Sequence, residues 1–189
     1  MMKIVRIFAV VEDSLYSVRY DEEAYEDEDE HEFRRLFRDW NDAEYLERFF
    51  VEHQDDLESE FWGGISVHRA ILKTREDAKS LERKLVQIAE TGKTDRHETL
   101  STLFKPLFDG PDHLDPYEKD KAYGIDSPSW LRIYAIRLDA NVFVVSGGAI
   151  KLTKDMNRPH LQQELRKLDI TQAFCKENPD LTLGYFEIE

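Results

Sequence analysis

The sequence predicts an α+β fold in which an antiparallel sheet packs on helices. Two amphipathic helical patterns lie in the first half of the chain, and short apolar strand patterns follow them. Hydrophobic residues make up 41% of the 189 residues and aromatic residues 12%, which is enough for the core of one substantial domain. We therefore expect one sheet, with strands 131–138 and 142–146 adjacent at its centre.

The chain opens with two short β-rich segments, 3–11 and 15–20, whose separation by three polar residues predicts a hairpin. Nine acidic residues follow between Asp21 and Glu32. Such a run is typical of a solvated loop. A second hypothesis is that the run lies near the cations of the later strands as an internal substitute for phosphate, since opposite charges within about 10 Å still attract at 0.1 M salt. The sequence leaves both interpretations open.

Two helices are predicted next. Residues 42–59 form an amphipathic pattern, with Asn41 as the cap and Glu44 at the capping-box position. A short apolar element at 66–73 precedes a second helix over 75–91. The expected buried side chains of the two helices are Leu46, Phe49, Phe50, His53, Leu57, Ala78, Leu81, Leu85, Ile88 and Ala89.

The second half of the chain is predicted to be mainly strands. "LFKPL" at 103–107 reads as a strand, and prolines and glycines then predict a long loop. After strands 131–138 and 142–146, "GGAIKLT" at 147–153 gives a third strand or a bulged continuation. Pro159 lies near the first turn of a final predicted helix. Residues 182–188 are expected to form a last strand.

Charge is unevenly distributed along the chain. The formal net charge is −14, so the protein as a whole should be soluble and should repel nucleic acid and anionic membrane. Residues 1–64 hold 7 basic and 20 acidic residues, whereas residues 130–167 hold 7 basic and only 3 acidic ones. The sequence therefore divides into an acidic extension over 1–64, expected to pack on the core, and an α+β core over 65–189.

Several familiar sites are absent from the sequence. It contains no phosphate-binding P-loop, dinucleotide-binding glycine motif, serine-hydrolase elbow or HExxH pair. Its six histidines are scattered and Cys175 is the only cysteine, so neither a metal site nor a cofactor is expected. The apolar run "IFAVV" is too short for a signal peptide or a membrane span. A cytoplasmic protein is the expectation.

The strand at 131–138 carries the strongest candidate site. Alternation places Arg132 and Tyr134 on the same face, and Lys151 and Lys154 follow the next apolar run. Arginine can clamp a phosphate with two hydrogen bonds, and an aromatic ring can stack on a base. An alternative is that these residues lie at the sheet edge, with stems that cover the core and charged heads in water.

This segment resembles a known family. The order helix, "LFKPL", long loop, "WLRIYAIR", turn, "VFVVSGGAIKLT", helix is similar to the RelE/HigB-like toxins of type II toxin–antitoxin modules. The resemblance covers roughly residues 66–167, and "LRIYAIR" and "GGAIKLTKDM" are its sharpest parts. The chain as a whole also resembles a Bacteroides-type group with an added acidic N-terminal part.

The resemblance implies a toxin-like, metal-independent mRNA endonuclease that an antitoxin with a helix-turn-helix domain holds inactive, and that acts on mRNA alone or on the ribosome. The 2′-hydroxyl attacks the neighbouring phosphate, and cations stabilise the developing charge. The catalytic residues implied by the resemblance are Lys105, Arg132, Tyr134, Lys151 and Lys154, and the implied RNA-binding residues are Arg137 and Arg158. The alternative is a non-catalytic protein-interaction module on the same scaffold.

Overall fold

The computed structural model describes residues 1–108 and 116–180, which form an α+β structure with one six-stranded sheet. The predicted strand over 182–188 lies outside the described residues. The strands are β1 (Ile4–Val11), β2 (Leu15–Tyr20), β3 (Phe104–Pro106), β4 (Lys119–Tyr123), β5 (Leu131–Asp139) and β6 (Val142–Ile150). The α-helices are α1 (Glu32–Asn41), α2 (Ala43–Glu52), α3 (Gln54–Leu57), α4 (Val67–Thr91) and α5 (Pro159–Glu177).

The sheet is mixed, so the prediction of a purely antiparallel sheet is wrong at one position. The strand order is β1-β2-β6-β5-β4-β3, and β2 pairs with β6 in parallel, whereas every other pair is antiparallel. A long connection that contains helices α1 to α4 and strands β3 to β5 separates β2 from β6, and a connection of this length allows two strands to run in the same direction. The adjacent, central position predicted for β5 and β6 is confirmed.

The hairpin of β1 and β2 is confirmed by its antiparallel register. It places residues of the acidic first third in the same sheet as the basic strands, because β2 contacts β6 directly. The division of the chain at residue 64 therefore does not coincide with a boundary of the sheet.

The first predicted helix is wrong in its bounds. A separate helix, α1, precedes it, and the segment 42–59 contains two helices rather than one. The cap is Asp42, whose carboxylate accepts hydrogen bonds from the backbone N–H groups of Glu44 and Tyr45, while Asn41 is the last residue of α1. His53 ends α2 and is half-buried against Phe49, at 4.3 Å between ring centroids, rather than lying in the core.

The second predicted helix begins earlier than expected. Helix α4 starts at Val67 and runs unbroken to Thr91, so the apolar element expected at 66–73 is the first part of the same helix. Ser66 caps it by accepting a hydrogen bond from the N–H of Arg69. The predicted buried side chains over 78–89 all lie in the core.

The glycine pair of β6 brings the sheet close to its helices. Residues 147–150 continue β6 past a bulge opposite Tyr134 and Ala135, as one of the two predicted alternatives had it. A Cβ atom at Gly148 would lie 2.6 Å from the carbonyl oxygen of Arg132 and 2.9 Å from Leu36 of α1. Only glycine permits this approach of helix and strand.

Helices cover both faces of the sheet. Apolar side chains of α1, α2 and α4 pack with Leu131, Ile133 and Ala135 on one face. Helix α5 packs with Tyr134 and Ile136 on the other face. The alternation expected for β5 is thus confirmed, and it directs Arg132 to the face that α5 only partly covers. Among the described helices, none has the length and apolar character needed to cross a membrane.

Candidate anion-binding site

Cationic side chains of β4, β5 and the segment after β6 converge on two adjoining hollows, which share Tyr123, Arg132, Lys151 and Lys154 in their linings. The two hollows together are called the basic cavity below. The larger one has a volume of about 540 Å³ and the smaller one about 430 Å³. Lys121 and Tyr134 line the smaller one, and an acidic and aromatic wall from residues 55–62 closes part of the larger one.

Strand register explains why these side chains meet. Tyr123 of β4 is the register partner of Arg132, and Lys121 is the partner of Tyr134, so the four side chains form two cross-strand pairs on one face. Lys151 follows the last residue of β6, and its backbone N–H donates to the carbonyl of Trp130 at 2.7 Å. The ladder between β5 and β6 thereby carries Lys151 to the same end of the sheet.

Arg132 is held in a fixed position. Its guanidinium lies over the ring of Tyr123, at 4.0 Å from the ring centroid. One nitrogen, Nη1, donates to the carbonyl oxygens of Ser129 and Leu131 at 2.7 and 2.8 Å. Burial lowers the pKa of Arg132 from its ordinary value, although an arginine stays protonated in proteins. The positive charge is therefore permanent and oriented.

Lys151 lies next to other cations of the basic cavity. Burial, together with the positive charges of Arg132 and Lys121, lowers its pKa from the ordinary 10.5. Its Nζ donates to the carbonyl oxygens of Thr153 and Lys154 at 2.5 and 2.7 Å. A bound anion would relieve the repulsion among the three cations, so the arrangement favours an anionic ligand.

None of the ion pairs in the described residues includes Lys121, Arg132, Lys151 or Lys154. Three carboxylates of the described residues line the two hollows without forming an ion pair with these cations: Asp155 lines the smaller one and faces Lys151, and Asp55 and Asp56 line the larger one. In a chain with a net charge of −14, a group of cations without paired carboxylates is unusual. Such a group is a candidate for binding an anion.

Aromatic rings line the basic cavity beside its cations. Phe61 and Trp62 line the larger hollow, and Phe61 is 66% exposed. Trp62 is fixed, because its indole N–H donates to the carbonyl of Leu152 at 3.0 Å and its ring lies 5.0 Å from that of Trp130. Exposed rings beside cations can stack a nucleobase while the cations hold its phosphate.

A buried aspartate of α4 fixes the loop before β5, which forms the floor of the larger hollow. Asp77 is 1% exposed, accepts a hydrogen bond from the backbone N–H of Asp126 at 2.9 Å, and accepts a second one from the hydroxyl of Ser129. Trp130 donates to the hydroxyl of Thr74 at 2.9 Å. The backbone carbonyl that orients Arg132 is therefore itself held by the core.

The predicted site residues separate into two groups. Arg132, Tyr134, Lys151 and Lys154 line the basic cavity together. Lys105 is exposed on the edge strand β3, where it is the register partner of Lys121, and it lines neither hollow. It lies one strand beyond the other cations.

Tyr134 has a different environment from the one expected. It is 1% exposed, and its hydroxyl points to the sulfur of Met156 at 3.7 Å. Burial raises its pKa, as does the charge of Glu164. A buried ring cannot stack on a base, and the more exposed ring of Tyr123 is itself covered by the guanidinium of Arg132.

The two residues expected to bind RNA lie elsewhere. Arg137 is 7% exposed, and its charge acts on Asp120, a buried carboxyl whose pKa burial raises to about 6. The resemblance implied an RNA contact for Arg137, but alternation directs this residue to the face that α1, α2 and α4 cover. Arg158 forms a bidentate ion pair with Asp56, at 2.8 and 2.6 Å. Neither residue lines the basic cavity.

The acidic run does not line the basic cavity. Glu26 and Glu30 pair with Arg38, and Asp29 pairs with Arg6. Glu32 alone of these ion-paired acids reaches a cation of segment 130–167, since it pairs with Lys167, which lies outside the cavity lining. Two carboxylates from the next segment, Asp55 and Asp56, line the larger hollow instead. The internal acids that face the cations thus come from α3.

Sequence reasoning missed Lys121, Tyr123, Phe61 and Trp62. The segment "KDKAY" alternates, and this period of two was the signal for a strand, but its position inside a loop rich in proline hid it. Comparison of the chain with protein-family models, with curated proteins and with solved structures found no significant match. Within the described residues, no group of three or more His, Cys, Asp or Glu is arranged to hold a metal ion.

Proposed function

We propose that the basic cavity binds the phosphate of single-stranded RNA and that the protein is a toxin-like, metal-independent endoribonuclease. The observation that carries this proposal is the convergence of Lys121, Arg132 and Lys151, none of which forms an ion pair within residues 1–108 and 116–180. The exposed ring of Phe61 gives a base of a single strand a surface for stacking. The RelE/HigB-like resemblance of residues 66–167 supports the same class of substrate.

The proposed reaction needs charge stabilisation and one proton acceptor. The 2′-hydroxyl of the bound nucleotide attacks the adjacent phosphorus, the bond to the 5′-oxygen breaks, and the products are a 2′,3′-cyclic phosphate and a 5′-hydroxyl. Arg132 stabilises the pentacovalent phosphate. We assign the proton acceptor to Lys151, because it lines both hollows beside Arg132, and burial and the neighbouring cations lower its pKa. Lys154 returns a proton to the leaving oxygen.

The first experiment measures RNA affinity of the full-length chain by fluorescence anisotropy. Arg132→Ala and Lys151→Met are expected to weaken binding at least tenfold. Lys119→Met is the matched control, because Lys119 lies on the same strand as Lys121 but pairs with Asp169 and lines neither hollow. The affinity should also fall as salt rises. Equal affinity of wild type and both cavity variants would overturn the proposed binding site.

The second experiment tests cleavage. The full-length chain is incubated with RNA, with and without ribosomes, and the products are analysed for cyclic phosphate ends. Loss of Arg132 is expected to slow cleavage by about a hundredfold or more. RNA whose 2′-hydroxyl is removed at the cleaved position should stay intact. Expression of the wild-type chain should slow growth, and Arg132→Ala and co-expression of an antitoxin with a helix-turn-helix domain should each relieve it.

A second function is favoured by one observation. Arg132 Nη1 and Lys151 Nζ each donate to two backbone carbonyls, so these donors are already in use before any ligand binds. This state fits a non-catalytic interaction module, in which the cations attract a polyanion or an acidic protein surface without performing a reaction. RNA binding with no cleavage under any of the conditions above would support this module and overturn the endoribonuclease.

A further inference from the structure

The larger hollow of the basic cavity is lined by side chains of both charges. Arg132, Lys151 and Lys154 line it, and so do Asp55 and Asp56 of α3. Its volume of about 540 Å³ falls in the range of about 300–1,000 Å³ typical of small-molecule sites. A ligand that fills it meets cations, aromatic rings and carboxylates together.

The two carboxylates are not equivalent. Asp56 is engaged by Arg158 through both of its oxygens, which lowers the pKa of Asp56 and leaves it little capacity to bind a ligand. Asp55 lines the same hollow, yet no side chain or backbone group among the described residues donates a hydrogen bond to its carboxylate or forms an ion pair with it. Asp55 is therefore the acceptor that remains for a ligand.

An ionised carboxylate recognises only hydrogen-bond donors, and it has two oxygens side by side. Among the four RNA bases, guanine alone presents two neighbouring donors, N1–H and N2–H, on its Watson–Crick edge. Adenine and cytosine each present one donor beside one acceptor, and uracil presents one donor between two acceptors. A carboxylate beside one of those acceptors meets an unfavourable lone-pair contact. The chemistry of Asp55 therefore fits guanine better than any other base.

We propose that Asp55 is a specificity-determining residue that selects a guanine nucleotide in the basic cavity. The base stacks against Phe61 or Trp62, its Watson–Crick edge donates two hydrogen bonds to Asp55, and its phosphate lies at Arg132 and Lys151. This inference rests on the proposed function, because it assigns the phosphate to the same cations. It adds the base, which the cations alone do not distinguish.

The test is isothermal titration calorimetry of the full-length chain with 5′-GMP, 5′-AMP, 5′-CMP and 5′-UMP at constant salt. Wild type is expected to bind 5′-GMP at least tenfold more tightly than the other three. Asp55→Asn presents one acceptor and one donor, which matches the edge of adenine, so this variant should lose the preference for 5′-GMP over 5′-AMP. Asp55 is exposed, and the variant is therefore expected to fold.

Glu58→Gln is the matched control. It removes one negative charge close to the same short helix, but Glu58 lies outside the lining and its carboxylate is bonded to Gln54. It should keep the preference for 5′-GMP. Equal loss in both variants would show that net charge near α3, rather than a contact with the base, sets the preference, and this result would overturn the inference.

Pyrophosphate binding separates the two proposals. It probes the cations without a base, so it should be the same in wild type and Asp55→Asn or slightly stronger in the variant. If wild type binds pyrophosphate and all four nucleotides with equal affinity, the role of Asp55 is wrong and the phosphate site stands. If wild type binds neither pyrophosphate nor any nucleotide, both the phosphate site and the selection of guanine are wrong.

Discussion

Two groups of charged side chains flank the same strand, β6, and they are built in opposite ways. One is a compensated cluster of Glu32, Arg35, Glu164 and Lys167, which lies between α1 and α5. The other is the basic cavity, where cations gather without an ion pair to any carboxylate in the part of the chain that the structure describes. The first is almost fully withdrawn from solvent, since Glu32 is 0% and Lys167 is 2% exposed, whereas the second opens on a hollow.

The compensated cluster balances each of its charges locally. Glu32 accepts from Arg35 at 2.8 Å and from Lys167 at 3.1 Å, and Lys167 also reaches Glu164 at 3.4 Å. The cations hold the pKa of Glu32 down to about 2 although burial alone would raise it, and burial raises the pKa of Glu164 to about 7. The cluster therefore contains one carboxylate, Glu32, that is ionised at neutral pH, and one, Glu164, that is partly protonated near pH 7.

The difference between the two groups indicates which cations stabilise the fold through ion pairs and which can bind a ligand. Lys167 belongs to the locally basic segment 130–167, yet Glu32 of the acidic run neutralises it inside the protein. Arg158 of the same segment is neutralised by Asp56. Arg132, Lys151 and Lys154 are the cations of this segment that line the hollow without such a partner. Some basic residues of segment 130–167 thus form ion pairs within the protein, whereas others line a surface that can bind an anion.

The largest effect is expected from breaking the compensated cluster. Lys167→Met leaves Glu32 and Glu164 buried with one fewer cation, and removing one partner of a buried ion pair typically costs about 3–5 kcal/mol of unfolding free energy. Lys119→Met removes the same charge from the surface pair with Asp169 and should cost under about 1 kcal/mol. Urea unfolding of the full-length variants measures both. Similar losses of unfolding free energy in Lys167→Met and Lys119→Met would show that the buried cluster stabilises the protein no more than a surface ion pair does.

The second effect is a pH dependence of stability that originates at Glu164. Its pKa is raised from 4.5 to about 7 in the folded protein, so the unfolded chain releases this proton earlier. As pH rises from about 4.5 to about 7, Glu164 therefore progressively lowers the free energy of unfolding. Glu164→Gln keeps a neutral group and should gain stability over wild type across this interval.

The matching control is Glu177→Gln, an exposed position at the end of the same helix. Its difference from wild type in unfolding free energy should not vary with pH between 5 and 7. If the difference in unfolding free energy between Glu164→Gln and wild type is equally independent of pH, Glu164 is ionised throughout this range. Its pKa would then not be raised by burial in the compensated cluster.

The third effect is at the basic cavity and appears in binding rather than in stability. Removing one of several repelling cations should leave the unfolding free energy of Lys151→Met within about 1 kcal/mol of wild type. Because the pKa of Lys151 lies below the ordinary 10.5, wild type should lose affinity for pyrophosphate as pH rises towards that value. Lys151→Arg, which stays protonated, should lose less. If the pyrophosphate affinities of wild type and Lys151→Arg fall in parallel as pH rises, the pKa of Lys151 is not lowered.

The smallest effect is expected at the pair of Arg158 and Asp56. This pair lies at the surface, with the Arg158 side chain 45% exposed, so salt screens it strongly. Arg158→Ala releases a negative charge into the lining of the larger hollow and should weaken pyrophosphate binding about twofold at low salt. The difference should vanish at 0.5 M salt. Tighter binding by the variant would mean that Arg158 blocks the hollow.

Some features could be predicted from sequence because they depend on local pattern. The hairpin at β1 and β2, the adjacent strands β5 and β6, and the alternation that pairs Arg132 with Tyr134 all follow from a period of two along the chain. The helix α1 was missed although Phe33, Leu36, Phe37 and Trp40 have helical spacing, since the preceding acidic run suggested a loop. Glu32, the last acid of that run, is the first residue of the helix.

Other features depend on contacts between distant segments, which a single sequence does not reveal. The parallel pairing of β2 with β6 is one, and the approach of α3 to the segment after β6 is another. The burial of Tyr134 was not predictable either, because it depends on the packing of Met156 and α5 over one end of the strand. The chemistry of the site was thus indicated in part by Arg132 and Lys151, whereas its acidic wall came from the tertiary fold.

The parallel pairing also has a consequence for synthesis of the chain. Tyr20 and Ser146, which meet where β2 and β6 separate, are 126 positions apart. At about 5–20 residues per second, the ribosome leaves β2 without its neighbour for roughly 6–25 seconds. An unpaired strand edge invites association with other nascent chains, and charge placed beside it discourages this. The acidic residues directly after Tyr20 then protect the unpaired edge of β2 from association until β6 is synthesised. Neutralising these acids should increase aggregation during translation more than it changes the unfolding free energy of the folded protein.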